Sequence, residues 1–411
     1  MQASDPLPSP LAIALAGLVS LGVAMGIGRF AFTPLLPIMM AEGSVSIGDA
    51  SLLASANYLG YLLGALACTF QPWFARRLGW GTAVDAPRMV RASLAATVLL
   101  TLGMALPWPV AWPALRFAAG LASAVAFLYT SSWCLEQLAR RRQAAMGALI
   151  YVGPGVGIVA SGLAASALVA LGARAAVGWV TFALLAVLLT AVAWKVFDRR
   201  NGVDAPALSG AGALPAQAPA SAGGLEVGAL AFAYGLAGIG YIITATFLPV
   251  IARQALPGSH WLDLFWPLFG AGVTAGALLA SRLRSGGDLR LRLAACYAVQ
   301  AVGVAASLVS PTLAGFAIGS LLLGLPFTAI TFFALQEVRR LRPASAPSAM
   351  GLLTAMYGLG QIAGPPLAAW LVARSGDAAR GFALSLGIAS GILAGGAVLF
   401  VLLARAYPVR R

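Results

Sequence analysis

Apolar segments long enough to cross a membrane recur along almost the whole chain. A bilayer core about 30 Å thick needs roughly 17 to 25 apolar residues in a helix. Hydropathy predicts twelve such segments, at residues 11–40, 48–72, 92–109, 113–137, 144–170, 175–197, 225–252, 261–281, 292–310, 313–337, 347–373 and 380–404. With 60% hydrophobic and 9% charged residues, the chain has too little polar surface to cover a soluble globule. The sequence therefore predicts an all-α membrane protein with twelve transmembrane helices.

The 26 basic residues lie mostly on one side of the predicted membrane. Twenty of them fall in the loops after even-numbered segments, at the ends of segments beside those loops, or in the C-terminal tail, and only Arg29 and Arg116 lie well inside a segment. Because cytoplasmic loops are enriched in Lys and Arg, we expect both termini in the cytoplasm. The net charge of +14 thus reflects orientation in a lipid bilayer and does not indicate a nucleic-acid partner. Abundant Arg and Ala with almost no Lys is typical of GC-rich bacteria, which predicts the inner membrane.

One stretch interrupts the first apolar segment and returns in the seventh. Residues 26–37 (GIGRFAFTPLLP) match residues 238–249 (GIGYIITATFLP) at an offset of 212 positions. Gly60 and Gly64 of the second segment recur at the same offset as Gly272 and Gly276 of the eighth. Such a repeat predicts two pseudo-symmetric six-helix bundles. We place them at residues 1–197 and 225–411, joined by a flexible cytoplasmic linker at 198–224, which is rich in Ala, Gly and Pro.

These features resemble the major facilitator superfamily of secondary transporters, and more narrowly its YbfB/YjiJ branch. The resemblance covers nearly the whole chain outside the linker and the tails. It rests on residues 28–37 (GRFAFTPLLP), 55–61 (SANYLGY), 240–249 (GYIITATFLP) and 357–361 (YGLGQ). It implies the major facilitator fold and transport by alternating access. One motif departs, because residues 74–79 (FARRLG) lack the aspartate that helps other members of the superfamily form a cytoplasmic latch.

Arg29 lies inside the first apolar segment, next to the predicted break. A charge at that depth is costly unless it faces water, a partner or a ligand, so intramembrane arginines are functional-site candidates. Irregular backbone is tolerated there only where it lines a cavity or is buried in protein. We expect Arg29 to bind an anionic group, most simply a carboxylate. A structural arginine that donates to carbonyls of the broken helix is the alternative.

Aromatic and polar side chains at helical spacing could complete a ligand site. Such groups suit a small, partly apolar solute, although interhelical packing would explain each of them equally well. The candidates on segments 2, 4, 7 and 11 are Asn57, Tyr61, Tyr129, Trp133, Tyr241, Thr244, Tyr357 and Gln361.

Three charged residues are candidates for gating or proton coupling. Glu136 and Glu337 lie at the cytoplasmic ends of segments 4 and 10, each followed by arginines. Ion pairs that open and close an inner gate are one role for them, and proton transfer is the other. Arg116, in LRFAAG (115–120), resembles the superfamily arginine linked to proton transfer. An arginine among lipid headgroups is its alternative.

The remaining motifs narrow the function. The sequence has no phosphate-cradling P-loop, no paired acids within the segments and no metal-ligand cluster, so we expect neither an enzyme nor a cofactor. We predict a monomeric secondary transporter of a small anionic or carboxylate-bearing solute, with proton coupling left open. Two alternatives are a broad-specificity drug or metabolite efflux antiporter, favoured by Gly-Pro motifs at 153–157 and 360–365, and a non-transporting receptor.

Overall fold

The structure, a computed structural model, describes residues 8–79, 84–198, 223–259, 261–283, 287–343 and 346–408. Within these residues a helical stretch lies at each of the twelve predicted positions, and we number the stretches as spans 1 to 12. Their bounds are Pro10–Ala41, Ile47–Arg77, Ala86–Gly103, Trp112–Arg140, Ala144–Ala170, Ala175–Trp194, Gly224–Ala255, Leu262–Arg282, Leu289–Val309, Leu313–Leu341, Ala346–Ser375 and Ala378–Ala406. Residues 199–222, which hold most of the predicted linker, and residue 260 lie outside the described part.

Ten of the twelve spans are by themselves long and apolar enough to cross a membrane. The other two are Ala86–Gly103, which carries Arg88 and Arg91 in its first turns, and Ala346–Ser375, which carries several Gly, Pro and polar residues. Both of these spans pack among the apolar spans. The all-helical membrane fold predicted from hydropathy is confirmed.

Span 1 is interrupted where the sequence predicted. An α-helix over Pro10–Leu21 passes into a π-helix over Gly22–Arg29, and a second α-helix covers Phe32–Ala41. The Phe30 N–H donates to the Met25 carbonyl at 3.1 Å, five residues back. Three glycines in this turn let the backbone widen and allow neighbouring helices to approach closely. The interruption exposes carbonyls at the end of the turn, next to Arg29.

Span 10 contains a second interruption that the sequence analysis missed. Its helices cover Leu313–Gly324 and Phe327–Leu341, with Leu325 and Pro326 between them. Proline lacks a backbone N–H and its ring crowds the preceding turn, which ends the first helix. The break places Phe327 toward the centre of the molecule, as its ring contacts show below.

The repeated glycines make repeated contacts. A side chain at Gly26 would collide with the backbone of span 5, and one at Gly238 would collide with the backbone of span 11. Gly60 packs on span 4 in the same way, and Gly272 packs on span 10. Within each copy, the same pairs of spans thus approach each other through small residues at equivalent positions. Such contacts are expected where helices associate by close packing in lipid.

The first six and the last six spans, which we call the N-terminal and C-terminal halves, meet along three lines. Span 2 lies against span 11, where the Ser55 hydroxyl donates to the Ile362 carbonyl at 2.9 Å. Span 5 lies against span 8, where the Ser166 hydroxyl donates to the Asp263 carbonyl at 3.0 Å. The C-terminal part of span 1 reaches span 7. These lines enclose the break in span 1.

Candidate functional site

Arg29 lies at the centre of the molecule, between the halves. Only 3% of its surface is exposed. Its guanidinium carbon sits 3.9 Å from the centre of the Tyr61 ring, and 5.4 Å from the ring centres of both Tyr58 and Phe30. A cation over the face of an aromatic ring is attracted by the ring quadrupole, more strongly when water is excluded. The guanidinium is therefore held by aromatic faces and does not point into lipid.

A glutamine and a tyrosine of the C-terminal half complete the polar part of this group. Arg29 Nη2 donates to Gln361 Oε1 at 2.6 Å, and Gln361 Nε2 donates to the Tyr241 hydroxyl. Arg29 belongs to span 1, Gln361 to span 11 and Tyr241 to span 7. The chain of bonds thus crosses from one half of the molecule to the other.

Aromatic rings surround the bridge on its C-terminal side. Tyr357 stacks on Tyr234 with ring centres 4.7 Å apart, and on Tyr241 at 5.9 Å. Phe327 meets both Tyr241 and Phe30 edge to face, at 5.2 and 6.2 Å. Phe30, Tyr234 and Tyr241 are buried, whereas Tyr61, Phe327 and Tyr357 are partly exposed. The site therefore offers one cation and one amide within an aromatic wall.

Among the described residues, no acidic side chain pairs with the cation. The ion pairs found among the described residues include neither Arg29 nor Arg116. The Nε atoms of both arginines are buried without a hydrogen-bond partner. Buried charges in proteins are normally paired, because desolvation disfavours a lone ion. Within the described part of the chain, the positive charge at the centre of the protein is thus uncompensated.

Arg116 holds the broken end of span 1. Its Nη1 donates to the Gly28 carbonyl at 3.2 Å, and its Nη2 donates to the Arg29 carbonyl at 2.8 Å. It is as buried as Arg29, so a position among lipid headgroups is excluded for it. The structural role that we left open for Arg29, bonding to carbonyls freed by the helix break, is filled by Arg116.

Asn57 packs between helices and does not face the bridge. Its Nδ2 donates to the Arg116 carbonyl at 2.9 Å, across the contact between spans 2 and 4. Its Oδ1 is buried without a partner. The packing alternative therefore describes Asn57 better than ligand binding does.

Tyr129 and Trp133 lie far along span 4. They follow Arg116 by 13 and 17 residues, which is about 20 and 25 Å of helix. The Trp133 ring packs on Phe197 at 5.0 Å between ring centres, near the C-terminal end of the N-terminal half. The structure does not group these two aromatics with Arg29, contrary to the expectation of one cluster.

Thr244 stands one turn from Tyr241 on span 7. Its side chain is buried, and its hydroxyl has no hydrogen-bond partner. A hydroxyl in this state can still donate to a ligand. With Arg29, Tyr61, Tyr241, Tyr357 and Gln361, Thr244 remains a candidate for the ligand site.

A known protein family matches this sequence. The family described as "Uncharacterised MFS-type transporter YbfB" matches residues 21–401, which is most of the chain. The protein belongs to this family of major facilitator transporters. A solved structure of a mutant of the nucleoside transporter NupG is similar, with a TM-score of 0.71 over 96% of this chain and 99% of that one, at 13% identity. No curated protein matches the sequence.

As a member of this family, the protein is a multi-pass membrane protein and a secondary transporter, not an enzyme. At 13% identity the likeness to NupG shows the fold alone. The family resemblance seen in the sequence is thereby confirmed.

The two glutamates among the gating candidates have different surroundings. Glu136 is partly exposed and pairs with Arg140 on its own span. Glu337 is fully buried, accepts two bonds from Arg340, and lies 3.4 Å from Arg290 Nε of span 9. Each of these pairs stays within one half, so among the described residues neither glutamate forms an ion pair between the halves.

Arg290 lies at the centre of a cluster of charged residues that includes Glu337. It also pairs with Glu226 at 3.0 Å and Asp288 at 2.9 Å, and its Nη2 donates to the Tyr407 carbonyl at 2.6 Å. The cluster joins spans 7, 9 and 10 to the end of span 12. It restrains the C-terminal half, and the gating and proton-coupling roles of both glutamates stay predictions.

Sequence reasoning missed several residues of the site. Tyr58 precedes Tyr61 by three residues and Tyr234 precedes Tyr241 by seven, so helical spacing placed both on faces already selected. Phe30 adjoins Arg29 in the repeated stretch. Phe327 had a weaker signal, the proline before it that interrupts span 10.

Proposed function

We propose that the transporter moves a small anionic solute, with a carboxylate bound by Arg29, by alternating access. One observation carries the proposal: a buried guanidinium lies between the halves with no acidic partner among the described residues. A carboxylate would supply the missing charge and form charge-assisted bonds with the guanidinium. Thr244, Tyr61 and Tyr357 would contact the rest of the solute.

The contacts between the halves support an alternating-access cycle. Thr33 Oγ1 donates to the Ala245 carbonyl at 3.1 Å, and the Tyr58 and Thr246 hydroxyls lie 3.0 Å apart. With both termini in the cytoplasm, as the arginine distribution predicts, these bonds lie on the outer side of Arg29 and close it. We propose that the two six-helix halves rock to open this contact and close the opposite side. The membrane would be a bacterial inner membrane.

The energy source is part of the proposal. The sequence has no P-loop, so a solute or ion gradient would drive transport. An anion bound to Arg29 would make the loaded carrier less positively charged than the empty one. The membrane potential would therefore affect the loaded and empty steps of the transport cycle differently. Proton coupling through Glu337 or Glu136 is the variant of this proposal that a pH gradient tests.

Transport into proteoliposomes tests the proposal. The purified protein is given a panel of radiolabelled carboxylates, with nucleosides and organic cations as comparison solutes. We expect uptake of at least one carboxylate, lost in Arg29→Gln and strongly reduced in Arg29→Lys. Arg174→Gln, which removes an exposed arginine at the start of span 6, is the control and should transport normally. Undiminished carboxylate uptake by folded Arg29→Gln would overturn the anion role.

A further inference from the structure

We propose that Gln361 is an internal competitor for the anion. In the empty carrier its amide oxygen occupies the position on Arg29 that a substrate carboxylate takes. This inference rests on the function proposed above, because it presupposes that Arg29 binds an anion. It reverses the role expected from the sequence, in which Gln361 helps to bind the substrate.

The geometry of the amide favours this role. A glutamine side-chain oxygen is a planar carbonyl oxygen, as each carboxylate oxygen is, and it lies 2.6 Å from Arg29 Nη2. The Tyr241 hydroxyl accepts from the amide nitrogen, which fixes the amide orientation. A flipped amide would place its NH₂ donor against the guanidinium, which has donors only. Gln361 therefore presents an acceptor to Arg29.

The buried charge explains why a competitor is useful. Because no acidic residue of the described part pairs with Arg29, its guanidinium would lack an acceptor whenever the empty carrier closes. A buried donor left unpaired costs more than its bond contributes on average. A neutral amide satisfies the donor, yet its bond is weaker than that of an ionised carboxylate. An anion can therefore displace Gln361, and the empty carrier can still close.

Displacement would also break a link between the halves. Arg29 is in the N-terminal half, and Gln361 and Tyr241 are in the C-terminal half. Substrate arrival thus exchanges a bond across the interface for bonds to the solute. Removing an ordinary binding residue weakens the affinity for the substrate, whereas removing a competitor strengthens it.

The test measures binding to purified protein by isothermal titration and thermal unfolding. The ligands are three matched pairs, each a carboxylate and its neutral amide: acetate and acetamide, benzoate and benzamide, succinate and succinamide. Gln361→Met keeps the length of the side chain and removes its hydrogen bonds. Gln361→Asn, whose shorter amide cannot span both partners, serves if the first variant does not fold. Gln300→Met is the control, since Gln300 is equally buried and donates to the Leu323 carbonyl away from the site.

We expect Gln361→Met to bind the preferred carboxylate about tenfold more tightly than the wild type, which is about 1.4 kcal/mol, with amide binding unchanged. Gln300→Met should match the wild type. Gln361→Glu, whose own carboxylate would pair with Arg29, should bind the added carboxylate at least tenfold more weakly. Equal or weaker carboxylate binding by Gln361→Met and Gln361→Asn overturns the competitor role.

The two proposals fail in different ways. If the wild type prefers carboxylates in an Arg29-dependent manner and the Gln361 variants do not strengthen that preference, only the competitor role is wrong. If neither the wild type nor any Gln361 variant prefers a carboxylate over its amide, the anion site itself is wrong, and the competitor role falls with it.

Discussion

At the scale of single residues, two buried arginines 87 positions apart in the chain perform different tasks at one point in space. Arg116 donates to two carbonyls at the break in span 1, one of them the carbonyl of Arg29. The Arg29 side chain reaches across to Gln361. We therefore assign backbone support to Arg116 and propose ligand binding for Arg29.

Paired substitutions separate these tasks. Arg116→Gln leaves two buried carbonyls short of a donor, each worth about 1 to 3 kcal/mol, so unfolding should become easier by roughly 2 kcal/mol or more. Arg29→Gln removes a cation that supports no carbonyl, so stability should fall less while carboxylate binding is lost. Thermal unfolding and ligand titration of both variants check this. The opposite ranking, with Arg29→Gln the less stable protein, would contradict the assignment.

The two glutamates at equivalent ends of spans 4 and 10 should differ in the same kind of measurement. Glu337→Gln takes one buried carboxylate away from Arg290 and Arg340, although Arg290 keeps Glu226 and Asp288, so we expect a loss of about 1 to 3 kcal/mol. Glu136→Gln breaks a partly exposed pair worth less than about 1 kcal/mol. Similar losses of thermal stability in both variants would show that burial does not distinguish them.

The limits of sequence reasoning are clearest for these residues. Arg29 could be identified from the sequence because a single charged residue stands out within an apolar segment. Its bond to Gln361 could not, because the two are 332 residues apart and only packing brings them together. Asn57 packs on span 4, which is the packing alternative kept for it in the sequence analysis, and Gly60 and Gly64 already indicated which side of span 2 makes that contact.

At the scale of helices, glycines decide which spans can touch. Matched positions in the two copies, Gly60 and Gly272 among them, pack on equivalent spans, which is why the repeat in sequence predicts a repeat in packing. The π-helix of span 1 has no counterpart in span 7, which is one continuous helix. The sequence repeat therefore predicted the glycine contacts between spans. In its helical course, span 1 differs from span 7 at the helix break beside Arg29.

A glycine substitution tests the helix contacts. In Gly276→Ala the added carbon would lie 1.7 Å from the Leu325 carbonyl oxygen, so span 8 must move away from span 10. We expect a loss of roughly 2 kcal/mol or more, measured by thermal unfolding. Gly391→Ala in span 12 meets nothing within 4 Å and should leave stability unchanged or slightly raised. Equal stability of the two variants would contradict this packing.

At the scale of the whole molecule, the all-helical membrane fold was predictable because hydropathy is a property of the chain alone. The conformation was not predictable, since alternating-access states share the same spans. Two hydrogen bonds join spans 1 and 2 to span 7 beside the site, Thr33 to Ala245 and Tyr58 to Thr246. Thr33 and Ala245 are equivalent positions in the sequence repeat, so this contact joins the same position of the two copies.

Thiol labelling tests whether this contact closes the outer side. With Cys68, Cys134 and Cys296 replaced by alanine, Ala245→Cys should react slowly with an impermeant reagent added outside, since Ala245 is buried. Adding Thr33→Val and Tyr58→Phe should raise the labelling rate severalfold by weakening the closed state. Thr69→Val, which removes a bond within span 2, is the control. An unchanged rate in the double variant would show that these bonds do not hold the gate.

We propose that a buried cation between the halves selects an anion, and one titration can decide whether it does. The affinities of matched carboxylates and amides are compared for the wild type and for Arg29→Gln. We predict that at least one carboxylate binds the wild type about tenfold or more tightly than its amide, and that Arg29→Gln loses this difference while still binding the amide. A carboxylate preference that survives intact in folded Arg29→Gln would contradict the account.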